Sequence, residues 1–104
     1  MAELPTNPVV MAFVTAINDG DREAFSAVLA PYATMFDDGT DRDLERWVTK
    51  EIFAADGRMT VETEHDGGRT VVATFTNSTW GSMRTRWHFT IEDDKITRFD
   101  TGQA

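Results

Sequence analysis

The sequence predicts an α+β domain in which three N-terminal helices pack on a curved antiparallel sheet. Three observations predict it. Apolar residues recur at three- and four-residue steps as far as Ile52, they alternate with polar ones after Asp56-Gly57, and turn signals separate the runs. At 104 residues the chain suits one domain, residues 1–104. A chain of that size can bury roughly two-thirds of its unfolded surface around a single core.

The helical half is punctuated by caps and stops. Asn7-Pro8 reads as an N-cap followed by proline at the first helical position, where the missing N–H costs nothing. Val10, Phe13, Val14 and Ile17 then form one apolar stripe up to a stop at Asn18-Asp19-Gly20. Asp21 caps a second helix carrying Phe25, Val28 and Leu29, which Pro31 ends. Tyr32 to Phe36 is extended and leads into the turn signal Asp37-Asp38-Gly39. Thr40, with Asp43 three residues later, caps a third helix whose Leu44, Trp47, Val48 and Ile52 face inward.

After Asp56-Gly57 the rest of the chain reads as a four-strand meander. In its first hairpin a loop of Gly67, Gly68 and Arg69 groups Met59 and Val61 with Val71, Ala73 and Phe75, leaving Glu62 and Glu64 on the opposite face. A two-residue loop, pairing His65 with Thr70, mixes the faces and is not preferred. Asp93-Asp94 turns the last hairpin, so Ile91 is expected opposite Ile96, Phe89 opposite Arg98 and Trp87 opposite Asp100, all on one face. The other face carries Arg84, Arg86, His88 and Thr90, which complement Glu62 and Glu64 in charge.

Composition excludes several functions. A net charge of −8 repels polyphosphate backbones and anionic lipid surfaces, so no nucleic acid and no membrane partner is expected. The absence of cysteine removes disulfides and thiol redox chemistry and fits a cytoplasmic location. Met1 to Pro8 lacks the basic start and apolar stretch of a secretory signal. Asn77-Ser78-Thr79 is therefore read as loop, not as a glycosylation acceptor. His65 and His88 are assigned to opposite faces, and neither a metal nor a cofactor is implied.

Two helices, an extended segment, a third helix and a meander is an order that resembles the nuclear transport factor 2-like superfamily. Phe13-Val14-Thr15-Ala16-Ile17-Asn18-Asp19-Gly20-Asp21-Arg22-Glu23-Ala24-Phe25 looks like its helix, Gly-Asp break and helix, and Ile91-Glu92-Asp93-Asp94-Lys95-Ile96 looks like its late hairpin. The likeness covers nearly the whole chain and is strongest to the SnoaL-like and ketosteroid isomerase-like branch. It implies a cone-shaped fold enclosing an apolar pocket, a small hydrophobic ligand, and a homodimer formed through the outer sheet face.

The resemblance also assigns roles by position. Asp37, after Ala33-Thr34-Met35-Phe36, matches the isomerase's catalytic base. Phe13 stands where the isomerase has its oxyanion-hole tyrosine, and Trp87 where it has the protonated aspartic acid, or histidine in some cyclases. Both donors are thus replaced, and steroid isomerisation by that mechanism is not expected. The Asp-Arg-Asp cluster of the superfamily's epoxide hydrolases has no matching positions.

The residues themselves leave two readings open for each candidate. Asp37 is a general base if Phe13, Trp47 and Trp87 form a dry wall around it, or else a turn residue. Asp100 and Arg98 orient a substrate's polar groups, or form an ion pair at the cone mouth. Trp47 and Trp87 line the pocket or belong to the core, and Phe89 is counted with the pocket lining. Trp80, beside Gly81, covers the pocket or meets a partner. The expected function is proton transfer by Asp37 on a small hydrophobic carbonyl or polyketide-like molecule, as an isomerase, cyclase or hydratase; the alternative is a noncatalytic homodimeric ligand-binding module.

Overall fold

The computed structural model describes residues 5–104; the start of the N-terminal stretch, Met1 to Leu4, lies outside the described residues. Helix α1 runs Pro8–Asp19, with the Asn7 side chain accepting from the N–H groups of Val9 and Val10 and Gly20 closing the other end at φ 63°. Asp21 caps α2 (Arg22–Ala27). The chain then enters strand β1 (Leu29–Asp37), so Pro31 lies within a strand and the helix has already stopped at Ala27.

Asp38 and Gly39, both at positive φ, turn β1 back into β2 (Thr40–Arg42), the two-residue hairpin that an Asp-Gly pair favours. Asp43, not Thr40, caps the third helix: its side chain accepts from Arg46 N, while Thr40 pairs with Asp37 in the sheet. Helix α3 (Leu44–Val48) widens into a π-helical turn over Thr49–Phe53, closed by an Ala54 N–H to Thr49 carbonyl bond.

Strands β3 (Arg58–His65), β4 (Thr70–Asn77), β5 (Gly81–Glu92) and β6 (Lys95–Gln103) form the meander. The six-stranded sheet has the order β2-β1-β6-β5-β4-β3. Every pair is antiparallel except β1 with β6. That exception arises because no hairpin joins those two strands and so none imposes their direction. No helix among the described residues is long and apolar enough to cross a membrane.

Two bulges correct the expected registers. In β3–β4, His65 does pair with Thr70, the arrangement that a single uniform register disfavours. A shift between Val61 and Thr63 then restores Met59 and Val61 to the face of Phe75 and Ala73. One consequence is that Glu64 opposes Val71 on the helix side, while Glu62 stays outside with Arg84 at 3.6 Å. His65, Thr70 and His88 also share one outer row, so the two histidines are on the same face.

In β5–β6 the shift falls between Thr90 and Ile91. Ile91 still opposes Ile96, but Phe89 opposes Phe99, Trp87 opposes Thr101 and His88 opposes Asp100. The helix side of the sheet therefore reads Met35, Phe99 and Phe89 in one cross-strand row and Asp37, Thr101, Trp87 and Val71 in the next.

Phe13 is the hub of the core, with its ring centroid 4.9 Å from those of Phe25 and Phe89 and 5.3 Å from that of Phe99. Trp87 lies 5.9 Å from it, tilted edge-on. These aromatic side chains are all buried, and they fill the depth of the cone. The open space lies beyond the row of Asp37 and Trp87.

Candidate functional site

A cleft of about 720 Å³ opens between α3 with its π turn and the mouth end of the sheet. Asp37, Trp47 and Trp87, three of the residues singled out in the sequence, are among those that line it. Phe13 and Phe89 do not: both are fully buried in the core below. The expected apolar chamber is thus occupied by the protein's own rings. What remains is a mixed cleft whose floor includes Trp87 and Phe75 and whose rim is charged.

Each wall of the cleft is fixed by an indole. Trp47 Nε1 donates to Asp37 Oδ2 at 3.1 Å, tying α3 to the end of β1. One π-widened turn on, Glu51 Oε2 accepts from Trp80 Nε1 at 2.9 Å, tying the same helix to the turn between β4 and β5. Trp80 is held from its backbone as well, since its N–H donates to Asn77 Oδ1, and Asn77 Nδ2 in turn donates to the Glu51 carbonyl. Asn77 is buried with both ends of its amide engaged. Trp47 and Trp87 meet edge to face at 6.2 Å.

Asp37 is half-buried in this frame. One carboxylate oxygen is oriented by Trp47, and no donor among the described residues reaches the other. Trp87 spends its own N–H inside the protein, on Thr85 Oγ1 at 2.8 Å. Arg42, Arg46 and Lys50 supply positive charge at the rim, and Asp38, Asp41 and Asp43 supply negative charge there.

Arg98 and Asp100 are on the other side of the sheet. They face outward because of the β5–β6 bulge, in line with Thr90 and His88. There they form a close ion pair, 2.8 Å from Nη2 to Oδ1, with Arg98 Nε also donating to both oxygens of Asp100. The hydrogen bonds to Asp100 raise the Arg98 pKa above its ordinary value. The guanidinium carbon sits 3.8 Å from the centroid of the Phe36 ring, covering it. The ion pair foreseen in the sequence exists, but it is a feature of the outer face and has no access to the cleft.

Glu51, Phe75, Met83 and Thr85 are cleft residues that no pattern in the sequence marks as functional. The signal for Glu51 was its four-residue spacing from Trp47, which places both on one helical face. Its indole partner is 29 residues away and could not be paired from spacing. Among the described residues no group of three His, Cys, Asp or Glu side chains is placed to hold a metal ion.

No protein-family model matches the sequence, and no curated protein matches it. Solved structures do. A nuclear transport factor 2-like protein of unknown function from Cytophaga hutchinsonii superposes with a TM-score of 0.78 at 16% identity, covering 96% of this chain and 90% of that one. The chain has a nuclear transport factor 2-like fold. The Δ5-3-ketosteroid isomerase of a Mycobacterium species superposes on it with a TM-score of 0.71 at 16% identity, over 89% of this chain and 88% of that one. A protein of ketosteroid isomerase-like fold from Catenulispora acidiphila, in complex with trimethylamine, gives 0.74 at 16% identity, over 92% and 85%. At these identities the nuclear transport factor 2-like fold is what the chains share, and the chemistry must be argued from this cleft.

Proposed function

We propose that the cleft binds a small organic carbonyl compound and that Asp37 accepts a proton from the carbon beside the carbonyl, as an isomerase or cyclase of this fold would require. The observation that carries the proposal is the Trp47 to Asp37 hydrogen bond at the cleft wall. It orients the carboxylate and leaves its second oxygen to take a proton. The rim cations Arg42, Arg46 and Lys50 are the candidates to stabilise the charge that develops on the carbonyl oxygen. No serine or cysteine nucleophile is invoked, and the proton can return from Asp37 to another carbon of the same molecule, so atoms balance without a co-reactant.

The test is exchange of deuterium from solvent into a panel of small carbonyl compounds, followed by NMR. The protein should accelerate exchange for some members, and Asp37→Asn should slow it by about a hundredfold or more while leaving binding within a few-fold. Equal exchange by protein and variant removes Asp37 from the chemistry. Because the Catenulispora acidiphila protein is a complex with trimethylamine, small amines belong in the same screen.

One observation favours a second reading, a noncatalytic binding module. The two positions that hold oxyanion donors in the isomerase are here Phe13, buried in the core, and Trp87, whose N–H is spent on Thr85. Ligand capture without any exchange would decide for it. Under either reading we propose a homodimer through the outer sheet face, where Glu62 and Arg84 set opposite charges 3.6 Å apart.

A further inference from the structure

We infer that the cleft holds an organic ammonium group against the face of Trp80 and beside the second carboxylate oxygen of Glu51, with the half-buried Trp47 as a further wall. All three tryptophans of the chain line this one cleft. Each has already committed its N–H within the protein, to Asp37, Glu51 and Thr85 respectively for Trp47, Trp80 and Trp87. Trp87 is buried in the floor, so what remains for a ligand is the π faces of Trp80 and of the half-buried Trp47, and the ring quadrupole attracts a cation to such faces. Trp80 stands 62% exposed, one of two large hydrophobic residues in that state among those described, yet it is pinned by two hydrogen bonds. An exposed, fixed indole beside a carboxylate is a surface prepared for contact.

The electrostatics agree. The ion pairs among the described residues join Arg22 to Glu45, Arg84 to Glu62 and Arg98 to Asp100, and none uses a carboxylate of the cleft. Glu51 therefore has no ion-pair partner among those residues, and its second oxygen is free of any donor among them. Acidic side chains outnumber basic ones along the lining, and the net charge of −8 draws cations toward it from a distance.

Two other occupants fit less well. An uncharged apolar molecule would use the indole faces but would strand Glu51 and Asp37 against apolar surface. A bare metal ion would need converging oxygen or nitrogen ligands, which no group among the described residues provides. An alkylated ammonium uses both the faces and the charge.

This inference rests on the cleft being the ligand site, as proposed above, and not on Asp37 transferring a proton. Tetramethylammonium chloride is the probe, titrated into isotope-labelled protein while the indole N–H resonances are followed. tert-Butanol, similar in size and uncharged, and sodium chloride at matched ionic strength are the controls. Saturable shifts at Trp80 and Trp47 are expected with tetramethylammonium alone. Trp80→Ala and Glu51→Gln should each weaken binding about three- to tenfold. The glutamine keeps an oxygen for Trp80 to bond, so its effect reads the charge.

An equal response to tert-butanol or to sodium chloride, or unweakened binding by both variants, overturns the ammonium site. Turnover of a neutral carbonyl compound through Asp37 with no ammonium response overturns this inference alone. Ammonium binding combined with unchanged exchange in Asp37→Asn overturns the proton-transfer reading alone.

Discussion

Glu64 illustrates how one side chain can tie a segment down. It accepts from both the N–H of Thr6, at 2.8 Å, and the Thr6 hydroxyl, at 2.6 Å, just ahead of α1. These two bonds, the hydroxyl's first, hold its pKa below the ordinary 4.5. Because the folded value is the lower one, the unfolded chain binds the proton more readily. The stabilisation is complete above the ordinary value and is lost as pH falls through the folded one. The protection of the Thr6 amide, the slowing of its exchange relative to the unstructured chain at the same pH, should therefore fall on acidification below the ordinary carboxylate range, and Glu64→Gln should remove that pH dependence. An unchanged profile in the variant would assign the acid sensitivity elsewhere.

Gly57 is constrained by space. A methyl group there would lie 3.0 Å from Ile52 Cα, 3.1 Å from the Ile52 carbonyl oxygen and 3.1 Å from Phe75 Cζ, all backbone or packed ring. Gly57→Ala should cost about 1–3 kcal/mol of stability by urea denaturation. A neutral result would mean that the π turn can move away from the sheet.

At the scale of elements, the β5–β6 bulge decides which side chains see the core. Ile96 and Phe99 are both fully buried although three residues apart in one strand, which a strict two-residue alternation does not permit. The extra residue, Thr97, is absorbed at the shift, and its hydroxyl donates to the Thr90 carbonyl at 3.3 Å. Arg98 and Asp100 are turned outward as a result. Phe99→Ala should cost about 3–5 kcal/mol. Arg98→Ala should have a far smaller effect, because its ion pair is exposed to solvent. Comparable losses for the two variants would contradict the register.

The same bulge explains why Arg98 and Asp100 lie outside the cleft that the sequence assigned them to. Asp37, Trp47 and Trp87 were legible because a turn signal, a helical stripe and regular alternation each fix a facing locally. Arg98 and Asp100 were not, since Ile96 followed by Phe99 records the need for a bulge without saying where the extra residue goes. Phe13 and Phe89 were placed on the right face, but their depth depends on Phe25 and Phe99 arriving from other elements.

For the whole molecule, charge and assembly oppose each other. Two copies of a chain at −8 repel, so the proposed dimer should tighten as salt screens the field. Sedimentation at micromolar concentration should show a dimer whose dissociation constant falls as salt rises from low to physiological strength. A monomer under all these conditions removes the outer-face interface.

The chain by itself determined its fold class and most of its elements, strand β2 (Thr40–Arg42) excepted. Capping residues, glycine and aspartate turns and the change from helical to alternating period act over a few neighbours, and they are written in order along the sequence. Only the tertiary structure decided that the cone is filled by aromatic rings, that the usable space is a charged cleft above them, and that Trp80 meets Glu51. Those outcomes depend on bulges and on contacts between distant residues, whose energies exist only once the sheet and helices have closed on each other.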